Sequence, residues 1–302
     1  MRTYEGAVLF VDILGIGALT TSPRPMIELA DIEALGRRST AQASNQTFCA
    51  TLLTTFRKNL RACRQAGLKV AQLSDSAFLW SEDHNVVVEA ATKLFWLNTR
   101  SGIFARGGMS FGEIVEPDKV ATSIGEFICG NAATRAVTLE RAGKGARIFV
   151  DTYLPGKLFN NIGPGAFVRL TNPSDFEVID EFLWFLVPAK PKLAARQTKR
   201  GQMNRMLEAL GLFRYSAMYR WNTGSVEGQI QVGATIERIS LQARALAQNA
   251  GTIAPEFALT TRELYLALCG CNQTERSAQR LASHEEHAKN FLDVQFPPRR
   301  KG

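Results

Sequence analysis

Apolar residues recur four positions apart at Phe48, Leu52, Phe56 and Leu60, which predicts a helix over Gln46 to Ala66 with one core-facing side. A second helix is expected over Asn85 to Thr99, where Val86, Val87, Ala90, Leu94 and Leu97 are apolar, and a third around Asn131–Ala142. Residues 7–11 hardly alternate and are rich in β-formers, so they predict a buried strand. "LKVAQL" and "AFLWS" are short strands joined through "SDS", a hairpin signal. "IFARGGMSFGEIV" reads as a long strand with glycines inside it. "ARIFVD", "FVRL" and "FEVIDEFLWFLV" follow as strands, while residues 20–45 are polar and irregular.

The order is β-α-β-β-α-β followed by extra elements, and that unit predicts an α+β fold with a ferredoxin-like sheet and helices on one face. From Lys190 onward strand signals cease. "GQMNRMLEALGLF", "IQVGATIERISLQARALA" and "TTRELYLALC" are helical in pattern. A boundary is expected near Pro188–Pro191, with a domain over 1–188 and a helical region over 189–302. No internal repeat is visible.

Composition narrows the function classes. A chain of 302 residues can bury a full core. The net charge of +8 permits a polyanionic partner, a nucleoside triphosphate or a nucleic acid. The basic runs "KPKLAARQTKR" and "PPRRKG" lack interleaved aromatics and read as a solvated linker and tail, so a nucleic-acid partner is not expected. Five cysteines with no CxxC argue against a disulfide framework or a zinc site. His284 and His287, in "SHEEHAK", lack the HExxH spacing and read as a solvated helix face. No window is long and apolar enough for a membrane span, and Glu5 and Asp12 interrupt any secretory signal. The expected location is cytoplasmic.

Within "VLFVDILGIG" a single carboxylate, Asp12, ends the greasiest strand of the N-terminal region. Asp75 lies in the hairpin turn. In a ferredoxin-like sheet the first and third strands are antiparallel neighbours, so the two carboxylates meet. Two such charges repel unless a cation compensates, and Mg²⁺ or Mn²⁺ suits carboxylate oxygens while leaving positions for phosphate. The turn "ILGIG" can open a helix whose free amides face an anion, with Gly15 and Gly17 permitting close approach. The plainer role for Asp12 is a helix cap.

These segments resemble the class III nucleotide cyclases. "FVDILG" is similar to that family's first metal-binding strand and turn, and "LSDSAFLW" to its "GDS" hairpin. "ARGGMSFGEI" is similar to its glycine-bearing strand, and "GNAATRAVTLERAGKGARIFVD" to its helix and following strand. The resemblance spans roughly residues 5–155. It implies a homodimer with active sites shared across the interface and a pair of divalent ions, Mn²⁺ or Mg²⁺. Asp12, Asp75 and the Ile13 carbonyl are the implied metal ligands. The amides of Leu14, Gly15 and Ile16 are the implied phosphate donors.

Two departures bear on the substrate. The family's purine-reading lysine position is Ala71, and its partner position is Phe127. The transition-state Asn and Arg positions hold Thr134 and Thr138, but Asn131, Arg135 and Thr138 share a helix face, so Arg135 can supply a guanidinium from a shifted position. Arg106, Arg141 and Lys144 are further phosphate candidates. The departures resemble the bacterial anti-phage pyrimidine cyclases of Pycsar systems. That resemblance implies UTP as substrate and cyclic UMP acting on a separate effector protein, with CTP or a purine triphosphate as alternatives. The competing class is a non-catalytic nucleotide- or RNA-binding module. A diguanylate-cyclase-like or polymerase-palm enzyme uses the same two-carboxylate logic, but no GGDEF-like hairpin is present.

Overall fold

The computed structural model describes residues 1–36, 44–119, 126–162, 164–172, 176–189 and 198–248. The helix expected at "TTRELYLALC", the two histidines of "SHEEHAK" and both basic runs, except Thr198 to Arg200 at the end of the first, lie outside them.

Strand β1 (Arg2–Ile13) leads into two short helices, α1 (Ile16–Thr21) and α2 (Leu29–Ala34). The first opens from the "ILGIG" turn, as expected, and the second falls in the stretch expected to be irregular. They are six residues each, too short to show a period. Then come α3 (Asn45–Ala62), β2 (Lys69–Leu73), β3 (Ser76–Ser81), α4 (His84–Arg100), β4 (Ala105–Glu116), α5 (Asn131–Glu140) and β5 (Ile148–Val150). α6 (Leu154–Ile162), β6 (Phe167–Thr171), β7 (Val178–Phe182), α7 (Lys199–Tyr215) and α8 (Val226–Gln248) complete the described chain. The expected α+β class and β-α-β-β-α-β order are present. "FEVIDEFLWFLV" splits into β7 and a 3₁₀ turn over Trp184–Leu186, because Trp184 turns inward to pack on Phe95 and Trp96.

Local chemistry sets the helix ends. Ser44 Oγ accepts from the Thr47 amide at the start of α3, and Asp83 Oδ1 from the Asn85 amide at the start of α4. Phe48, Leu52, Phe56 and Leu60 are all buried, as the four-residue spacing requires.

The sheet order is β2-β3-β1-β4-β5-β7-β6. β1 is antiparallel to both β3 and β4, and β4 and β5 are parallel. Ala7, Leu9, Val11 and Ile13 face α3 and α4 in the main core. Val8 faces the other way, toward Ala132 and Ala136 of α5. α3 and α4, the two helices of the β-α-β-β-α-β unit, lie on one face as expected, and α5, which follows that unit, lies on the opposite face. The glycines of β4 explain how. A Cβ on Gly108 would sit 2.0 Å from the Ala136 carbonyl oxygen and 2.4 Å from the Glu140 amide nitrogen. Between Gly108 and Gly112, Ser110 Oγ donates to the Ala132 carbonyl at 2.5 Å. These small side chains let α5 rest almost on the strand backbone.

The helices after residue 198 dock onto the same core. Met203, Met206, Phe213, Tyr219 and Ile239 join the main cluster. Phe104 meets Phe213 and Tyr219 edge-on, and the Tyr219 hydroxyl donates to the Thr99 carbonyl at 2.7 Å.

Gly108→Ala should destabilise the protein by about 3 kcal/mol or more, because the obstruction is backbone rather than a yielding side chain. Gly17→Ala is the matched control. An added Cβ there meets nothing within 4 Å, and replacing helical glycine stabilises by roughly 0.5–1 kcal/mol. Urea denaturation of both variants checks the contrast; equal stabilities would overturn the close-packing account.

Candidate active site

Asp12 is the last outward-facing residue of β1, opposite Ser76 on β3 and Arg106 on β4. The Ile13 amide donates to the Asp75 carbonyl at 3.0 Å, which ties the end of β1 to the hairpin turn. The two carboxylates thus share one cleft. Ser74, just before Asp75, takes the left-handed conformation with φ 56°. The Gln72 side chain steadies that turn by donating to the Ser74 carbonyl at 2.9 Å.

The cleft is about 410 Å³ and is lined by Asp12, Ile13, Leu14, Gly15, Gly17 and Asp75, with Arg106 and Lys144 opposite. Burial, Glu140 and Asp75 together push the Asp12 carboxyl up to about 7, against the pull of Arg106 and Arg141. Arg106 is itself steered by Glu140, accepting its Nε at 2.7 Å, and by the Gly143 carbonyl, also at 2.7 Å.

The turn after β1 departs from expectation in one respect. The Leu14 amide already donates to the Phe104 carbonyl at 2.7 Å, so it is not free for an anion. The first helical bond runs from the Leu19 amide to the Gly15 carbonyl, leaving the amides of Ile16, Gly17 and Ala18 without an intrahelical acceptor. Gly15 has φ +94°, and a Cβ there would lie 2.7 Å from the Trp221 ring, so this position needs glycine for backbone shape and for packing. Gly17 has no such structural demand.

The remaining expected residues lie elsewhere in the chain. Ala71 sits on edge strand β2, opposite Phe78, which packs against Phe10 with ring centroids 4.8 Å apart. Phe127 is 49% exposed. Asn131 Oδ1 accepts from the Glu113 amide at 2.8 Å, pinning the start of α5 to β4. Arg135 makes a two-pronged pair with Glu177, at 3.0 and 2.5 Å. None of these four lines the cleft that holds Asp12 and Asp75.

Sequence reasoning missed the outer wall. Trp221, Asn222, Ser225, Glu227 and Gln231 all line the cleft. Glu227 pairs with Lys144 at 2.8 Å, and Gln231 accepts from the Gly145 amide at 2.5 Å. No spacing links residue 221 to residue 12, so only the docking of the C-terminal helices reveals this wall.

Among the described residues no cluster of three or more His, Cys, Asp or Glu side chains forms a metal cage. Asp12 and Asp75 give the open cleft hard-oxygen donors, and Asp12 is raised first by burial and then by Glu140 and Asp75. Such donors suit a divalent cation that retains positions for other oxygens. No helix among the described residues is long and apolar enough to cross a membrane.

No protein-family model matches the chain. No curated protein matches it either. Solved structures with a similar arrangement include the guanylyl cyclase Cya2, at 8% identity and TM-score 0.43, covering 60% of this chain and 91% of that one. The guanylate cyclase domain of RhGC from Catenaria anguillulae, in complex with GTP, gives 11% and 0.42, covering 60% and 97%. The adenylyl cyclase CyaB from P. aeruginosa gives 13% and 0.41, covering 60% and 96%. Likeness at this level carries no chemistry, which rests on the residues themselves.

The raised Asp12 predicts a pH effect in metal-free protein. From the ordinary carboxylate range up to about 7 the folded state holds a proton that the unfolded state has released. Stability therefore falls as pH rises through that window. Asp12→Asn should abolish this slope and melt several degrees above the parent at about pH 8, with the difference shrinking toward about pH 5. Thermal melts in EDTA check this; parallel curves for parent and variant would overturn it.

Proposed function

We propose that the chain is a nucleotide cyclase that converts UTP into cyclic UMP and pyrophosphate. The observation that carries this reading is the Asp12–Asp75 carboxylate pair, set beside a glycine-bearing turn in a cleft that also holds Arg106 and Lys144. Binding alone does not require two carboxylates facing a phosphate-sized space.

In this reading Asp12, Asp75 and the Ile13 carbonyl hold the Mn²⁺ or Mg²⁺ ions. When bound, such ions acidify the ribose 3′-hydroxyl and offset the charge of the phosphates. Gly17 lets the turn backbone come close to the phosphates, joined by the amides of Gly15 and Ile16. Lys144 and Arg106 offer cationic donors to the triphosphate, with Glu140 fixing the direction of Arg106. The 3′-hydroxyl gives up its proton to solvent, its oxygen attacks the α-phosphorus, the bond to the bridging oxygen breaks, and pyrophosphate leaves with the electron pair.

A second copy of the chain completes the site. Arg135, Asn131, Ala71 and Phe127 stand away from the carboxylates of their own chain, as a site shared in a homodimer requires. The partly exposed pair Phe10–Phe78 beside Ala71 offers an apolar face for that copy to cover. Arg135 must then exchange Glu177 for the α-phosphate of the neighbouring site. Ala71 and Phe127 provide no hydrogen-bonding group for a purine edge, which favours a smaller pyrimidine. Residues 1–188 carry the chemistry, and Trp221 and Glu227, from the described part of the C-terminal region, close the cleft. A cytoplasmic location and a separate effector that responds to the cyclic nucleotide complete the proposal.

Incubation with all four ribonucleoside triphosphates and Mn²⁺, with products identified by mass, should give cyclic UMP as the main product. Dominant cyclic CMP would change only the base. Dominant cyclic AMP or GMP would overturn the pyrimidine reading, and no cyclic product would favour a binding module. Asp12→Asn or Asp75→Asn should each lower turnover at least about a hundredfold, the scale of losing a group that holds charge at the reacting centre.

Mixing Asp12→Asn with Arg135→Ala chains should restore part of the activity that each lacks alone, because some heterodimers carry one intact site. No recovery, under conditions where subunits demonstrably exchange, would place Arg135 outside the shared site.

A further inference from the structure

On the α3 side of the sheet, away from the carboxylates, a groove runs between α3 and the edge strand β2. It is about 250 Å³ and is lined by Arg57, Arg61, Arg64, Leu60, Val70 and Gln72. Arg57 and Arg61 are four residues apart and share one side of the last turns of α3, and Arg64 follows just past the helix end. Leu60, 3% exposed, and Val70 form an apolar floor.

Several described arginines elsewhere are used differently. Arg100, Arg106, Arg135 and Arg147 each face a glutamate. Among the described residues, no carboxylate pairs with Arg57, Arg61 or Arg64. The carbonyl end of a helix ordinarily repels an anion. Here the Lys93 ammonium donates to the Ala62 carbonyl and offsets that pole. Three guanidiniums around a small apolar floor are complementary to a phosphate group on a compact body.

We propose that this groove is a second phosphate-binding site, distinct from the Asp12–Asp75 cleft, for a small phosphate-bearing ligand: inorganic pyrophosphate or a nucleotide. The inference does not depend on the cyclase reading. The groove has a route to the hairpin turn. Arg57 Nε donates to Gln72 Oε1 at 2.9 Å, and Gln72 Nε2 donates to the Ser74 carbonyl at 2.9 Å. A phosphate that takes the Arg57 N–H removes the donor that Gln72 Oε1 accepts from, and so loosens the turn carrying Asp75.

The test is calorimetric titration of the full chain, in EDTA, with pyrophosphate and separately with uridine 5′-monophosphate. Replacing Arg61 and Arg64 together by Gln should weaken binding at least tenfold while leaving circular dichroism and the melting temperature unchanged, since both side chains are exposed. Lys144→Gln, in the other cleft, should leave this binding intact. Tighter binding of the monophosphate would identify a nucleotide as the ligand, and the reverse would identify an inorganic phosphate. Binding unchanged in the double variant, binding lost only with Lys144→Gln, or no binding of either probe would overturn the proposal. Hydrogen exchange gives a second reading. Probe binding should speed exchange over residues 73–77 in the parent, and Gln72→Ala should bind the probe but show no further change. Exchange unaffected in the parent would overturn the route to the turn.

Discussion

Everything at the cleft depends on β1 being clamped in register from both sides. Its end faces Ser76 on one flank and Arg106 on the other. A slip of one residue on either flank would rotate Asp12 into the α3–α4 core and send Val11 or Ile13 outward. The cost of burying an unpaired carboxylate there enforces the register. The fully buried Ala7, Val8, Leu9 and Val11 supply the stabilisation that lets a strand end on an ionisable group.

The same clamp explains the electrostatics. Asp12 lies near Asp75 because β1 adjoins β3, and near Glu140 because the glycines of β4 let α5 come close. Glu140 serves two ends. It orients Arg106 by a buried ion pair, and it adds negative charge beside Asp12. Burial and like charges gathered in one cleft are what shift a carboxyl far from its ordinary range, and such shifts cluster at functional sites. Across the cleft, Lys144 is held by Glu227, so any anion entering there must compete with a carboxylate from α8. The wall made by Trp221 and α8 thereby links the C-terminal helices to events at the N-terminal turn.

Periodicity made the long elements legible. Four-residue spacing in α3, apolar runs in β1 and the turn residues between β2 and β3 are local signals, and each appears where expected. The short α2 escaped because six residues cannot display a period. The placement of α5 on the second face escaped because Gly108, Ser110 and Gly112 signal close approach without saying by what. Leu14 was expected to offer its amide to phosphate. The neighbouring strand end had already claimed it through the Phe104 carbonyl, a partner ninety residues away in sequence.

By itself the sequence determined the kinds of element, their order and the meeting of Asp12 with Asp75, because sheet pairing converts a strand order into neighbours. Residue identity also determined that positions 71 and 127 carry no polar group. Only the tertiary structure decided which face α5 covers, that Arg135 rests on Glu177, that Asn131 is a helix anchor and that Trp221 and Glu227 wall the cleft. Those outcomes depend on how preformed elements dock, and docking is governed by side-chain volumes and charges far apart in the chain, which no local pattern records.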